Sequence, residues 1–353
     1  MQPRRRVAVL GATGAVGQAF IRLLANHPWF ELAEVAASER SAGKSYGDAA
    51  RWIGNDVIPA GVADLTVLPC DPSRITADVV FSALDSSAAQ DAEPAFARAG
   101  KVVLTNAKNY RMEPDVPLVI AEVNPSQLDI ISEQRRNRGW TGAIVANGNC
   151  ASIVAALPLA PIHERFGITK VILMTMQAVS GAGYPGVPSL DILGNVIPFI
   201  KDEEPKIEQE IQKFLGRVEG SAVANAEFPV SAHANRVAVE HGHTVCMSIE
   251  LRDKASAEEV QAALADWCGA PDARGLPTAP ARAVIVSDAA DAPQPRRQVD
   301  AGNGMTVVVG RVRPDPIFDV KLVAMGHNVV RGAAGASVLN AELMARRGML
   351  AGS

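Results

Sequence analysis

Cys150, in the run IVANGNCASIVAALPLA, carries the strongest chemical signal in the chain. The triplet Ile144, Val145, Ala146 reads as a buried strand, Asn147-Gly148-Asn149 as a turn, and the stretch from Ala151 as a helix. A thiol at that junction sits at a helix N-terminus, where unpaired backbone N–H groups and the helix dipole favour an anion. The expectation is a thiolate-prone nucleophile. The plainer alternative is a small buried hydrophobe, a common state for free cysteine.

A second chemical feature lies near the start. RVAVLGATGAVGQAFIRLLANHP orders a strand, a glycine turn and an amphipathic helix, with Gly11, Gly14 and Gly17 at G-x-x-G-x-x-G spacing. Such glycines let backbone N–H groups approach a pyrophosphate and let the helix pack close to the strand. A further strand, ELAEVAAS, follows, so the pattern predicts a Rossmann-type dinucleotide site. Beyond that strand Ser38 and Ser41 can donate hydrogen bonds, and Arg40 and Lys44 supply positive charge. That set suits a ribose 2′-phosphate, hence NADP, although Glu39 offers a carboxylate that could face a free ribose instead.

The elements that must position these groups read as two units. DVVFSAL (78–84), KVVLTNA (101–107) and PLVIAEV (117–123) are apolar runs expected as strands of a parallel sheet covered on both faces. Ser82 and Asn106 fall near strand ends, where such sheets place ligands, and Lys108 and Arg111 lie in the following loop. Arg111 reads as a solvated loop charge unless a later domain folds over it. In the second half, a strand ending at Gln177 runs into a glycine-rich loop. A helix start at DEEPK carries Glu203 and Lys206, with Ile207, Ile211 and Phe214 on its apolar face. His243 begins the apolar side of an alternating strand, with His233 and His241 as competitors for any catalytic role. TVVVGRVRPD and IFDVKLVAMG read as paired strands. The final helix carries Gly332, Ala333, Gly335 and Ala336 early, small residues that would let it return to the first domain.

The fold expected is therefore α/β plus α+β: a doubly wound Rossmann-like domain (1–149 with 329–353) and a second α+β domain carrying Cys150 and His243 (150–328). At 353 residues the chain is long for one core. A net charge of −4 gives no reason to expect nucleic acid as a partner. No apolar run approaches membrane-spanning length. Cys70, Cys150, Cys246 and Cys268 are far apart, without metal-ligand spacing, so reduced thiols in a cytoplasmic protein and no metal are expected.

With these residues in view, the chain resembles the aspartate-semialdehyde dehydrogenase family, in particular its archaeal and fungal branch. The resemblance runs nearly end to end through GATGAVGQ (11–18), SERSAGK (38–44), YRMEPDVPLVIAEVN (110–124), NGNCAS (147–152), QAVSGAGYPG (177–186), DEEPKIEQE (202–210), NRVAVEHGHT (235–244) and HNVVRGAAGASVLNAE (327–342). It implies NADP-linked, reversible reduction of aspartyl phosphate to aspartate semialdehyde in amino-acid biosynthesis. Cys150 would be the nucleophile, His243 the general acid/base and Gln177 an orienting group. Arg236 would clamp the substrate carboxylate, Glu203 take its ammonium, and Arg111, Lys206 and Asn149 serve the phosphate. Gly11, Thr13, Gly14, Ala15, Val16, Gly17, Ser38, Arg40, Ser41, Lys44, Ser82, Asn106, Gly181 and Asn328 would meet the cofactor. A homodimer or homotetramer is implied, with the second domain serving substrate binding and dimerisation. Three positions depart from the family pattern: Gly148 and Ala238 stand where Pro is usual, and Ala151 where Ser or Thr is common. A malonyl-CoA reductase on the same scaffold is the nearest alternative, and a non-catalytic NADP-sensing protein the second.

Overall fold

The computed structural model describes residues 4–54 and 56–350. Strands β1 (Arg5–Leu10), β2 (Phe30–Ala37), β3 (Val67–Pro69), β4 (Val79–Ser82), β5 (Val102–Thr105) and β6 (Ala143–Ala146) form one sheet in the order β3-β2-β1-β4-β5-β6. Every pairing in it is parallel. Strands β4, β5 and β6 are buried at every position, which is why their sequences run apolar without alternation. The strand order reverses between β1 and β4, and the glycine turn leaves β1 at that switch point.

The second sheet comprises β7 (Ile168–Gln177), β10 (Val230–Arg236), β11 (His243–Leu251), β12 (Val284–Ser287), β13 (Val307–Pro314) and β14 (Val320–Gly326), ordered β10-β7-β11-β14-β13-β12. A separate hairpin, β8 (Arg217–Glu219) and β9 (Ala222–Ala224), lies between β7 and β10 in the chain. Here burial alternates: Val171, Leu173 and Val245 face the core while Ile172 and Met174 remain exposed. The register pairs His243 with Gly326 and Arg236 with Gln177, so all four come to one end of the sheet. The turn 315–318 joins β13 to β14 at the other end.

The helix Cys150–Phe166 packs beneath the second sheet and is buried on nearly every side. Apolar residues all around a helix require such enclosure. The chain's last elements return to the first sheet, as the small residues suggest. Asn340 donates to the Val119 carbonyl at 2.9 Å, and Arg331, fully buried, forms a two-pronged pair with Glu122 at 2.7 Å on each prong. The expected final helix proves to be two pieces, a π-turn (Val330–Ala334) and an α-helix (Gly335–Arg346).

One expected strand is absent. PLVIAEV makes a single parallel bridge, Leu118 to Ala146, and then bends. Asn124 causes the bend: its Oδ1 accepts the Ile120 N–H at 2.8 Å and its Nδ2 donates to the Leu118 carbonyl at 2.9 Å. The segment is buried like a strand but spends its backbone groups on a side chain. Among the described residues no helix is long and apolar enough to cross a membrane. Among the same described residues, no group of three or more His, Cys, Asp and Glu is placed to hold a metal ion.

Candidate active site

Cys150 is the first residue of its helix, and Asn149 is the N-cap. The Asn149 Oδ1 accepts from the N–H groups of Ala151 (2.8 Å) and Ser152 (3.2 Å). The helix-terminal donors expected to stabilise a thiolate are thus largely taken by the cap. Burial pushes the Cys150 thiol up to about 12, the nearby Glu203 carboxylate acting the same way, while Arg111, Arg236 and the Ala151 N–H oppose the shift. Burial thus works against the thiolate-prone expectation, while the two guanidinium groups and the helix-terminal N–H work for it.

His243, not His233 or His241, meets that sulfur, with Nε2 3.0 Å from Sγ. Its Nδ1 faces the backbone N–H of Ala178 at 3.1 Å. A backbone N–H can only donate, so Nδ1 is the acceptor and the neutral ring carries its proton on Nε2, toward sulfur. Burial pulls His243 down to about 3, with Arg236 and His327 adding to the effect.

Glu203 sits at the centre of the remaining groups. Its carboxylate accepts from Asn149 Nδ2 (2.8 Å), Gln177 Nε2 (3.0 Å) and Lys206 Nζ (3.4 Å). Arg236 donates from Nη1 to the Ala178 carbonyl at 2.8 Å. Gly181 lies across Arg236 and His243: an added Cβ would stand 2.9 Å from the Arg236 Nη1 and 3.1 Å from the His243 Cε1. Arg111 is no solvated loop charge. The helix Glu203–Phe214 folds over it, and its Nη1 and Nη2 donate to Glu210 (2.8 Å) and the Asn106 carbonyl (2.7 Å).

Around the glycine turn the three glycines divide their work. A Cβ on Gly11 would stand 2.5 Å from the Ala83 carbonyl oxygen, and one on Gly17 2.3 Å from that of Gly11. Both therefore serve the chain's own packing. Gly14 is exposed and caps the helix Ala15–Leu24 without a side-chain hydrogen bond, leaving that helix start open, as a pyrophosphate needs. Beside it is a cavity of about 430 Å³ lined by residues including Ala15, Gly183, Tyr184, His241 and Val329. Ser38, Arg40 and Lys44 are exposed beyond β2, with Ser41 and Thr13 half-buried. Val16 is half-buried on the first turn of the helix.

Ser82 needs correcting as a cofactor group. Its hydroxyl is fully buried and donates to Glu93 at 2.6 Å, turned into the protein rather than the cleft. Asn106 and Asn328 are also engaged, Asn106 accepting from Asn147 (2.9 Å) and Asn328 bridging the Gly242 N–H and the Ser180 hydroxyl (2.9 and 2.8 Å).

Sequence reasoning missed Glu210, Lys213 and Gly332. The first two were legible as spacing: charged residues at 203, 206, 210 and 213 recur in steps of three and four, marking one helical face. Gly332 backs the thiol so closely that a Cβ there would stand 2.5 Å from the Cys150 Cβ. The departure at Gly148 also has a cause, since a Cβ there would stand 2.3 Å from the Phe214 ring.

A glycine turn at the switch point of a parallel sheet, next to a half-buried Cys150 paired with a buried His243, defines a thiol-dependent dehydrogenase that works with a dinucleotide. Residues 6–131 match the family described as semialdehyde dehydrogenase, NAD binding domain, and residues 159–331 the semialdehyde dehydrogenase dimerisation domain. The chain is 51% identical over 341 residues to the aspartate-semialdehyde dehydrogenase of Archaeoglobus fulgidus, covering 97% of this chain and 98% of the relative. It is 44% identical over 355 residues to that of Schizosaccharomyces pombe, covering 98% and 99%. The crystal structure of the Candida albicans aspartate semialdehyde dehydrogenase with NADP matches with a TM-score of 0.91 and 41% identity, over 98% of this chain and 100% of that one. The chain belongs to the aspartate-semialdehyde dehydrogenase family.

Proposed function

We propose that the protein catalyses the reversible, NADP-dependent reductive dephosphorylation of L-aspartyl 4-phosphate to L-aspartate 4-semialdehyde, with Cys150 carrying the acyl group. The Cys150–His243 contact at 3.0 Å, walled by Gln177, Glu203 and Arg236, carries this reading. Arg236 offers a planar fork of donors to the α-carboxylate. Glu203 offers its carboxylate to the α-ammonium, and Arg111 and Lys206 offer cations to the phosphate. Sulfur bonds to the acyl carbon, the carbon–oxygen bond to phosphate breaks, and the thiol proton leaves with the phosphate. Residues 11–17, with Ser38, Arg40, Ser41 and Lys44 toward the 2′-phosphate, would hold NADPH, which would supply the hydride for reduction of the thioester. As the aldehyde forms, the bonding pair returns to the Cys150 sulfur, and the Nε2–H of His243 meets that charge. His243 thus serves as the general acid/base at sulfur, relaying a solvent proton that restores the thiol for the next cycle. Covalent capture divides a hard reduction into two easier steps.

The division at 149/150 and 328/329 is the domain boundary that best fits this chemistry, with the last elements completing the nucleotide domain. The exposed face of the second sheet, Ile172 and Met174 with Cys246, suits pairing into a homodimer or homotetramer. Phosphate-dependent NADPH formation from aspartate semialdehyde tests the activity and should vanish in Cys150→Ala. Robust turnover by that variant refutes the nucleophile, and turnover of malonyl-CoA in preference to aspartyl phosphate refutes the substrate.

A further inference from the structure

Glu210 is buried to 1% exposure and uses both carboxylate oxygens on groups from different segments. Its Oε1 accepts from Arg111 Nη1 at 2.8 Å, and its Oε2 accepts from the backbone N–H of Asn149 at 2.5 Å. The second contact is to the peptide that leads directly into the nucleophile. We propose that Glu210 is a positioning residue: it fixes the Arg111 guanidinium relative to the Cys150 turn, so that phosphate capture and thiol placement form one mechanical unit. This rests on the reading of Arg111 as a phosphate ligand.

Three further observations support it. A buried carboxylate is costly unless fully paired, and an apolar residue would fill a merely structural position without that cost. The backbone around Arg111 is fixed independently by Lys213, whose buried Nζ donates to the carbonyls of Arg111 (2.7 Å), Glu113 (2.7 Å) and Val116 (2.8 Å). With the backbone held, Glu210 has only the guanidinium left to direct. Finally, a Cβ on residue 148 would stand 3.1 Å from the Glu210 Oε2, so glycine there opens the carboxylate's path to Asn149.

Glu210→Gln tests the idea, because an amide accepts from one of the two donors and turns its own N–H toward the other. The variant is compared with wild type, Arg111→Ala and the double variant in the oxidative direction, reading KM for phosphate and for NADP. Glu210→Gln should raise the phosphate KM about tenfold and leave the NADP KM unchanged. In the Arg111→Ala background it should add less than about threefold, because the effect runs through Arg111. A wild-type phosphate KM in Glu210→Gln, or an equal fold-change in both backgrounds, overturns the proposal. If Arg111→Ala alone leaves the phosphate KM unchanged, the phosphate reading of Arg111 is what fails. Should Glu210→Gln not fold, Glu210→Asp, charged but one methylene too short for both contacts, serves the same comparison.

Discussion

Replacing Gly332 with alanine adds one methyl group directly behind the nucleophile. The new Cβ would stand 2.5 Å from the Cys150 Cβ and 2.9 Å from its Cα, so reaching the 3.4 Å of ordinary contact means opening the gap by about 0.9 Å. Gly332 lies in the π-turn Val330–Ala334 and is not among the positive-φ glycines, so alanine is acceptable to the backbone and only the collision matters. Cys150 cannot easily yield, because Ala151, Ser152 and Ile153 after it are fully buried. Overpacking of this kind costs about 1–3 kcal/mol. A displacement of about 1 Å at a reacting group costs roughly 10²-fold in rate, or about 2.7 kcal/mol of barrier. Gly332→Ala should therefore fold, bind NADP normally and lose about 10²-fold in kcat/KM for phosphate-dependent NADPH formation. The assay pairs absorbance at 340 nm with a thermal melt and an NADP titration. A variant that melts lower but keeps wild-type kcat/KM would refute the reasoning, since the sulfur would then tolerate the shift.

Other outcomes follow from the same structure. Arg331→Met leaves the Glu122 carboxylate buried without its partner and should cost about 3–5 kcal/mol, seen as a lower denaturant midpoint. Because the Cys150 thiol is pushed up to about 12, its thiolate fraction falls tenfold for each pH unit below that value. Iodoacetamide labelling of the ligand-free protein should accordingly speed up about tenfold per unit from pH 7 to 10, and a plateau near neutrality would contradict the geometry. Arg40→Ala should raise the KM for NADP about tenfold and leave that for NAD nearly unchanged, the loss expected for one hydrogen bond to a charged group.

The strand, glycine turn and helix at the start were legible because Gly11 and Gly17 sit where a side chain would collide with backbone and Gly14 where the helix start stays open, and residue type alone records that. Cys150 and His243 were legible as chemistry, but their protonation was not. Asn149 looked like a turn residue, and only the folded chain shows its Oδ1 on the donors that would have served the sulfur. PLVIAEV misled because burial, not pairing, makes a segment apolar, and Asn124 diverts its backbone from a few residues away. The charge at Arg111 could not be placed from its own loop, since the element covering it lies some hundred residues later. The face at 203, 206, 210 and 213 was periodic all along. Its apolar neighbours Ile207, Ile211 and Phe214 drew the eye to the other stripe.

The second sheet has a working end and an idle one. Gln177, Arg236, His243 and Gly326 reach the former, while the exposed turn at 315–318, with Ile317 84% exposed, closes the latter. Evolution and engineering consequently meet opposite constraints a strand's length apart. A single inserted residue at the start of β11 would flip His243 to the other face and silence the protein. A whole reporter peptide spliced between Pro316 and Ile317 leaves every reacting atom where it was. The turn is a ready port for a fluorophore or affinity handle, addressable while the chemistry runs at the far edge.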